Sequence, residues 1–368
     1  MTAVHQFVPA LVPRDATGNH ALALQDVFRG AGWKSDLYAE AVHADLADKA
    51  AFFEEYPERA EPGDLLLYHL GTASPLAEFL RARPEPLVLD YHNITPASYY
   101  EGWEDQISEK VALARVEAAA LSPRAALGIA DSAFNAVELR RWGCRTTAVV
   151  PVLVGLQAQP RRVDTTESVR LQSEHGDATV LLFVGRLSPN KAQHRLVEAL
   201  WFYRRWYDPG ARLHLVGPAV TESYAAAVFA FADELGLGDA VRHGHDLTDA
   251  QLGAWYADAD IFVCLSEHEG FCLPVLEAMH HGLPVVALAA GAVPETVAEA
   301  GILVDSSRPS VVAAAVRRVS EDPALAARMV AAGHRRAEDF RPEVVGSRFV
   351  EVLGALAGDE THAAPVVA

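Results

Sequence analysis

A chain of 368 residues, 51% hydrophobic, has material for two cores of roughly 150–200 residues each and is not a disordered polymer. Its formal charge of −18 leaves no basic face for nucleic acid and no Lys/Arg-rich helix for anionic lipid. Any anionic ligand must therefore be held by a few local donors, and acidity itself reads as solubility. The three cysteines, Cys144, Cys264 and Cys272, form no CxxC pair, which points to reduced thiols and a cytoplasmic setting. The first residues lack a basic segment followed by a long apolar core, and no run reaches about 18 apolar residues. Neither a signal peptide nor a membrane span is expected.

In chain order, the first half alternates short apolar runs with helical patterns. Strands are expected over 3–8, 35–38, 64–69, 87–91, 126–130 and 147–150. A polar loop over 13–18 leads to Asn19, read as the cap of a helix running to about Gly30. Further helices are expected over 75–81, 104–121 and 132–141. Residues 157–177 are polar, carry Pro160 and show no period, so 161–177 reads as the connection between domains 1–160 and 178–340. A second series places strands over 180–184, 212–216, 241–243, 261–265, 285–288 and 301–303. Its helices fall over 192–206, 222–235, 249–257, 275–281, 310–319 and 324–338. A last amphipathic helix within 341–357 is expected to pack back on the first domain, followed by a loose tail over 358–368. Repeated β–α alternation predicts an α/β protein with parallel sheets covered on both faces. Two such doubly wound, Rossmann-like domains put ligands at the carboxyl ends of their strands, facing a central cleft.

Two stretches carry candidate chemistry. Gly185 ends a strand, and Arg186 and Lys191 follow at the strand tip and helix start. A forked guanidinium and a compact ammonium beside a helix N-terminus suit a diphosphate. The same pattern also describes a surface turn with two solvated cations. It is not a P-loop, whose glycines and hydroxyl are missing. Glu269 and Glu277 stand eight positions apart, one on a loop and one in the following helix. By themselves they fit helix-end charges, a glycosidase-like carboxyl pair, or acceptors for vicinal sugar hydroxyls.

The run EGFCLPVLEAMHHGLPVVA, with GRLSPNK upstream of it, resembles glycosyltransferase family 4. These are retaining enzymes of the GT-B fold whose hallmark is two glutamates separated by seven residues, as Glu269 and Glu277 are. The resemblance is strong over 180–305 and weaker, though continuous in layout, over 87–150. It implies transfer of a hexosyl group, with retention, from a nucleoside diphosphate sugar to an acceptor hydroxyl in glycan, glycolipid or natural-product biosynthesis. Arg186 and Lys191 would hold the donor diphosphate beside Gly185, Glu277 the ribose, and Glu269 the transferred sugar. The amides of Gly270, Phe271, Cys272 and Leu273 would approach sugar and phosphate, and Gly217, His243 and Gly244 would lie beside the base. His92, in DYHNITP, would reach the donor sugar, with Asn93 on its hydroxyls. Gly18 and Asn19 would form the acceptor or phosphate loop. Cys272 departs from the glycine usual at its position. The loop is expected to need only its amides there, with the side chain narrowing the sugar pocket.

No metal and no cofactor beyond the nucleotide-sugar co-substrate is implied. The two histidines of His243-Gly244-His245 lack a third ligand. The acceptor would be a glycan, a lipid-linked molecule or a small molecule, with no nucleic-acid partner and a cytoplasmic location, in solution or peripheral to the inner membrane face. The alternatives are a sugar phosphorylase or synthase of the same fold, and a non-catalytic nucleotide-sugar-binding subunit. The latter would be expected to lose Arg186, Lys191 or one glutamate, and this chain has all four.

Overall fold

The computed structural model describes residues 2–13, 15–153 and 163–358. The first two residues of the expected 161–177 connection, and the expected tail beyond Gly358, lie outside the described residues. The chain divides into two compact units. One comprises Met1–Ala97, Gln106–Gly155 and Phe340–Ala368, and the other Ser98–Asp105 and Leu156–Asp339.

The first unit is built from β1 (Val4–Leu11), α1 (Ala16–Gly30), β2 (Leu37–Val42), β3 (Ala51–Phe52), β4 (Leu65–Leu70), α2 (Leu76–Arg81), β5 (Leu87–Tyr91), α3 (Asp105–Leu121), β6 (Leu127–Ala130), α4 (Ala133–Arg141) and β7 (Thr147–Val149). Its seven-stranded sheet has the order β3-β2-β1-β4-β5-β6-β7, and its paired strands run parallel. Every residue of β4 and β5 is buried, as a sheet with helices on both faces requires. One face holds Phe7, Tyr38, Tyr68 and Tyr91. On the other, Val4, Leu24, Phe28 and Leu67 meet Val345, Phe349 and Leu353. Those last three lie on the final helix of the chain, so residues far from α1 in sequence close its layer. Truncating a fully buried phenylalanine such as Phe349 costs about 3–5 kcal/mol, which makes this helix an integral part of the unit's core.

The second unit follows with α5 (Thr165–His175), β8 (Val180–Val184), α6 (Gln193–Trp206), β9 (Arg212–Val216), α7 (Glu222–Glu234), β10 (Val241–Gly244), α8 (Asp249–Asp258), β11 (Ile261–Cys264), α9 (Leu273–His280), β12 (Val285–Leu288), α10 (Val293–Val297), β13 (Gly301–Val304), α11 (Pro309–Glu321) and α12 (Pro323–Glu338). The final helix, α13 (Pro342–Ala357), returns to the first unit. The six-stranded parallel sheet has the order β10-β9-β8-β11-β12-β13. In both sheets the order reverses beside the first strand, between β1 and β4 and between β8 and β11. Such a reversal leaves an opening at the strands' carboxyl ends.

Three local expectations are corrected. The polar stretch read without a period is helical over Thr165–His175, because Asp164 caps it by accepting from the Thr166 and Glu167 amides. Only Leu171 of this helix is buried, so its sequence carries almost no apolar stripe. At the N-terminus, Asp15 and not Asn19 caps α1, its carboxylate accepting from the Gly18 amide at 2.8 Å. Gly18 and Asn19 are therefore inside the helix, and they form no loop. Finally, β10 runs one residue past its expected end and includes Gly244.

Candidate active site

In the second unit, the site grows from the switch point. β8 ends at Val184, and Gly185 follows at φ 153°. A Cβ on the neighbouring Gly217, at φ 138°, would fall 2.3 Å from the Gly185 carbonyl oxygen, so the two turns pack backbone to backbone. The exposed Arg186 follows, and its carbonyl accepts from the Gln193 side chain at 2.9 Å. A short 3-10 turn, Pro189–Lys191, then sets Lys191 beneath the loop that leaves β11. Lys191 Nζ donates to Glu269 Oε1 at 2.6 Å, with 17% and 10% of the two side chains exposed. Burial opposes the lysine's charge, but the Glu269 carboxylate outweighs it and holds the ammonium above its ordinary range. An ion pair this dry persists when its partners stay matched. It also places a cation and a carboxylate at the one spot where the sheet opens.

Three neighbours fix the Glu269 loop. Asn190 takes the Glu267 amide on its carbonyl at 2.9 Å and donates its side-chain amide to His268 O at 3.2 Å. The Ala292 amide donates to Glu269 O at 3.0 Å. Thr296 of α10 donates to Phe271 O. Gly291, at φ 55°, makes this approach possible, since a Cβ there would lie 2.6 Å from Glu269 O. The sequence reading missed Gly291, Asn190 and Thr296. The one signal available was the Ala-Gly-Ala-Val-Pro turn at 290–294, where a glycine precedes a helix.

Cys272 occupies left-handed backbone at φ 71°, ψ 62°, immediately before α9. This corrects the expectation that the loop needs only amides at this position: the conformation favours glycine. The side chain is buried, with its Sγ 3.7 Å from Cys264 Sγ at the end of β11. The contact with Cys264 and burial both push the Cys272 thiol well above its ordinary range, so it is held protonated and unreactive. Glu277, on α9, accepts from the Tyr256 hydroxyl at 2.8 Å. Burial raises the Glu277 pKa, and the tyrosine partly compensates. Tyr256 in turn stacks on His281, ring centroids 4.5 Å apart and 2° from parallel. Gly217 presents its carbonyl to His243 Nε2 at 2.9 Å and its amide to Gly244 O at 2.8 Å.

In the first unit the carboxyl ends of β4, β5 and β6 gather a second polar group. His92, beyond β5, has both ring nitrogens engaged within the unit. Nε2 lies 3.1 Å from His69 Nδ1, and Nδ1 lies 3.3 Å from Asp131 Oδ1. Asn93 follows at φ 71°, with both side-chain amide atoms buried and unpartnered. An amide so placed costs stability unless a ligand or water satisfies it. Four donors, from His20, His69, Asp90 and His92, lie within 4.8 Å of one another, as do those of Cys264, Glu269 and Cys272. In the first set His20 is no metal ligand: its Nδ1 accepts the Leu153 amide, so its Nε2 carries a hydrogen. In the second, Glu269 is already committed to Lys191.

Two parallel Rossmann-like sheets of this order are the architecture of GT-B glycosyltransferases. A model of "Glycosyl transferases group 1" matches residues 165–336. A D-inositol 3-phosphate glycosyltransferase from Thermomonospora curvata is 30% identical over 343 residues, covering 86% of this chain and 79% of the relative. One from Geodermatophilus obscurus is 37% identical over 218 residues, covering 56% of this chain and 46% of the relative. Among solved structures, Anabaena HepE, crystallised with UDP and glucose, superposes with a TM-score of 0.75 at 20% identity, over 96% of this chain and 100% of that one. The sucrose-phosphate synthase of Thermosynechococcus elongatus gives the same TM-score, 0.75, at 20% identity, over 97% and 100%. The chain belongs to the group 1 glycosyl transferases and is a glycosyltransferase of the GT-B fold.

Proposed function

We propose that this enzyme moves a hexosyl group, with retention at the anomeric carbon, from a nucleoside diphosphate sugar to an acceptor hydroxyl, in the manner of glycosyltransferase family 4. The observation that carries the reading is the Lys191–Glu269 ion pair at the switch point of the second sheet, with Glu277 on the helix that follows. Donor binding would exchange partners. Lys191, joined by Arg186, turns to the diphosphate, and Glu269 is freed to accept from hydroxyls of the sugar. Glu277, set by Tyr256, accepts from the ribose. The amides from Gly270 to Leu273, at the start of α9, face sugar and phosphate, and the Gly217 and His243–Gly244 backbone lies beside the base.

The leaving diphosphate gains charge as the glycosidic bond breaks. Lys191 and Arg186, brought to the diphosphate by that exchange, stabilise the growing charge, which is the largest lever such a site has. The reading therefore needs no metal and no cofactor beyond the donor. In the first unit, Asn93 offers a donor and an acceptor to hydroxyls. HepE was crystallised with UDP and glucose, and the relatives are named for D-inositol 3-phosphate, so UDP-sugars and inositol 3-phosphate are the first pair to test. No helix among the described residues is long and apolar enough to cross a membrane. With its three cysteines as free thiols, that supports a cytoplasmic enzyme, at most peripheral to the membrane.

Incubation with UDP-, GDP- and ADP-sugars, following donor hydrolysis and transfer, tests the reading. Lys191→Ala should weaken nucleotide binding and lower turnover by about a hundredfold or more. Glu269→Gln should keep nucleotide binding and lose transfer. No turnover with any donor, together with unchanged nucleotide binding in the Arg186→Ala and Lys191→Ala variants, would sink it.

A further inference from the structure

Three elements of the first unit, α1, β4 and β5, bring side chains to one buried carboxylate, Asp90, and the hydrogen bonds around it leave few choices for where hydrogens sit. Such positions are assigned from partners, and here the Ala21 carbonyl and the Leu153 amide fix two of them. Gln6 donates its side-chain amide to Ala21 O at 3.0 Å, so its oxygen faces His69 Nε2 at 2.9 Å. His69 Nε2 therefore carries a hydrogen. The Leu153 amide donates to His20 Nδ1 at 2.9 Å, which leaves His20 neutral with its hydrogen on Nε2, donated to Asp90 Oδ2 at 2.9 Å. His92 Nδ1 forks towards both oxygens of Asp131, at 3.3 and 3.4 Å, and carries a hydrogen as well.

Three atoms remain. His69 Nδ1 and His92 Nε2 are 3.1 Å apart, and they lie 3.2 and 3.5 Å from Asp90 Oδ2. If both rings were neutral, all three would be lone pairs pointed at one another in a site nearly closed to water. A buried arrangement of that kind is strongly repulsive. We propose that a proton occupies this junction and makes His92 an imidazolium that donates both N–H groups inward, so that His92 is a positioning residue and not a general base.

The charges nearby agree. Burial works against the His92 cation, but Asp90 and Asp131 outweigh it and lift its pKa to about 9. His69 is pushed the other way, to about 4, by burial, so it is the neutral acceptor of the pair. The groups facing His92 are His69 on β4, Asp90 on β5, Asp131 beyond β6, His20 on α1 and Asp15 at the α1 cap. From α13 the Phe349 ring packs against His20, ring centroids 5.3 Å apart. Three carboxylates thus surround one cation. The arrangement fixes the end of β5, and with it Asn93, at the carboxyl edge of the sheet. The functional consequence rests on the transferase reading above: His92 cannot accept a proton at this edge, and its charge must persist for the strand end to hold its place.

The full chain labelled with 15N-histidine tests this directly, with signals assigned by His20→Gln, His69→Gln and His92→Gln variants. At pH 7.5 His92 should show two protonated nitrogens and lose one only well above the ordinary histidine range. His69 should remain neutral, with its hydrogen on Nε2. An unprotonated His92 nitrogen at pH 7.5 would overturn the proposal. So would one equivalent of zinc that survives dialysis against a chelator, because a metal ion would then fill the junction. Asp131→Asn should lower the His92 titration by about one unit or more and bring the alkaline limb of the transfer rate down with it. Unmoved His92 titration in that variant counts against the proposal, and if the variant fails to fold the wild-type spectrum decides. Absence of transfer with any donor would sink the reading under the previous heading and leave the spectrum unaffected.

Discussion

Cys272 keeps a side chain on backbone that suits glycine, at φ 71°. A left-handed residue with a Cβ costs about 1 kcal/mol, and the buried thiol contact with Cys264 works against that cost. Two variants separate these effects. Both Cys272→Ala and Cys272→Gly lose the sulfur, but alanine keeps the strain. Alanine should therefore be the less stable of the two, by about 0.5–1 kcal/mol in urea denaturation, despite the greater flexibility that glycine gives the unfolded chain. Equal stabilities, or glycine the weaker, would mean that the backbone relaxes when the contact is lost. Tyr256 offers a second test at this scale. Tyr256→Phe removes the donor to Glu277 Oε2 and leaves a buried carboxyl with its pKa pushed further up. Nucleotide affinity should fall by about tenfold, read by calorimetry, while the fold is retained.

At the scale of elements, the site loop is a passive segment held by its neighbours. The turn between β12 and α10 and the short α10 grip it through Ala292 to Glu269 and Thr296 to Phe271. Gly291→Ala would drive a methyl to within 2.6 Å of Glu269 O, on a backbone with φ 55°, so the Glu269 loop must shift. Misplacement of a reacting group by about 1 Å costs on the order of a hundredfold in rate. The variant should stay folded, bind nucleotide nearly as well, and transfer about a hundredfold more slowly; unaltered kcat would show that the loop is not set by this turn. These contacts were not legible in the sequence. A five-residue helix has no period to read, and the gripping residues lie some twenty or more positions after the loop residues they hold. By contrast β5, β8, β9 and β12 have the bounds expected of them, because each is a short, mostly apolar run bounded on at least one side by a polar residue, Gly or Pro. β3, with two residues, offered no pattern at all.

For the whole molecule, the buried histidines predict the pH dependence of stability. His69 falls to about 4 and His214 to about 3 in the folded chain, both through burial, against 6.5 for an ordinary histidine. Below 6.5 the unfolded chain takes up protons that the folded chain refuses, so stability declines from about 6.5 towards 4. His92, raised to about 9, has the opposite sign. Its contribution is complete below 6.5 and is lost as the pH rises through 9. Denaturation followed from pH 4 to 9.5 should show a maximum near 6.5. His69→Gln should flatten the acid limb, and His92→Gln the alkaline one. A profile with no alkaline decline would contradict the charge assigned to His92.

Local pattern alone was enough for the α/β class, the two series of strands and the placing of Glu269 on a loop and Glu277 on a helix, because hydrophobic period and Gly/Pro punctuation are local properties. It also nominated Lys191 beyond a strand end, and the family resemblance added His92 at another. What those residues touch was decided only in three dimensions. Lys191 and Glu269 meet because β8 and β11 are neighbours across the sheet's reversal, with two other strands of the sheet between them in sequence. His20, His69, Asp90 and His92 meet because α1, β4 and β5 bring them to one carboxylate. Cys272 departs from the family's usual residue in the sequence, yet its strain and its partner Cys264 belong to the folded loop. Pairings over such separations depend on strand order and close packing, and no local period encodes either.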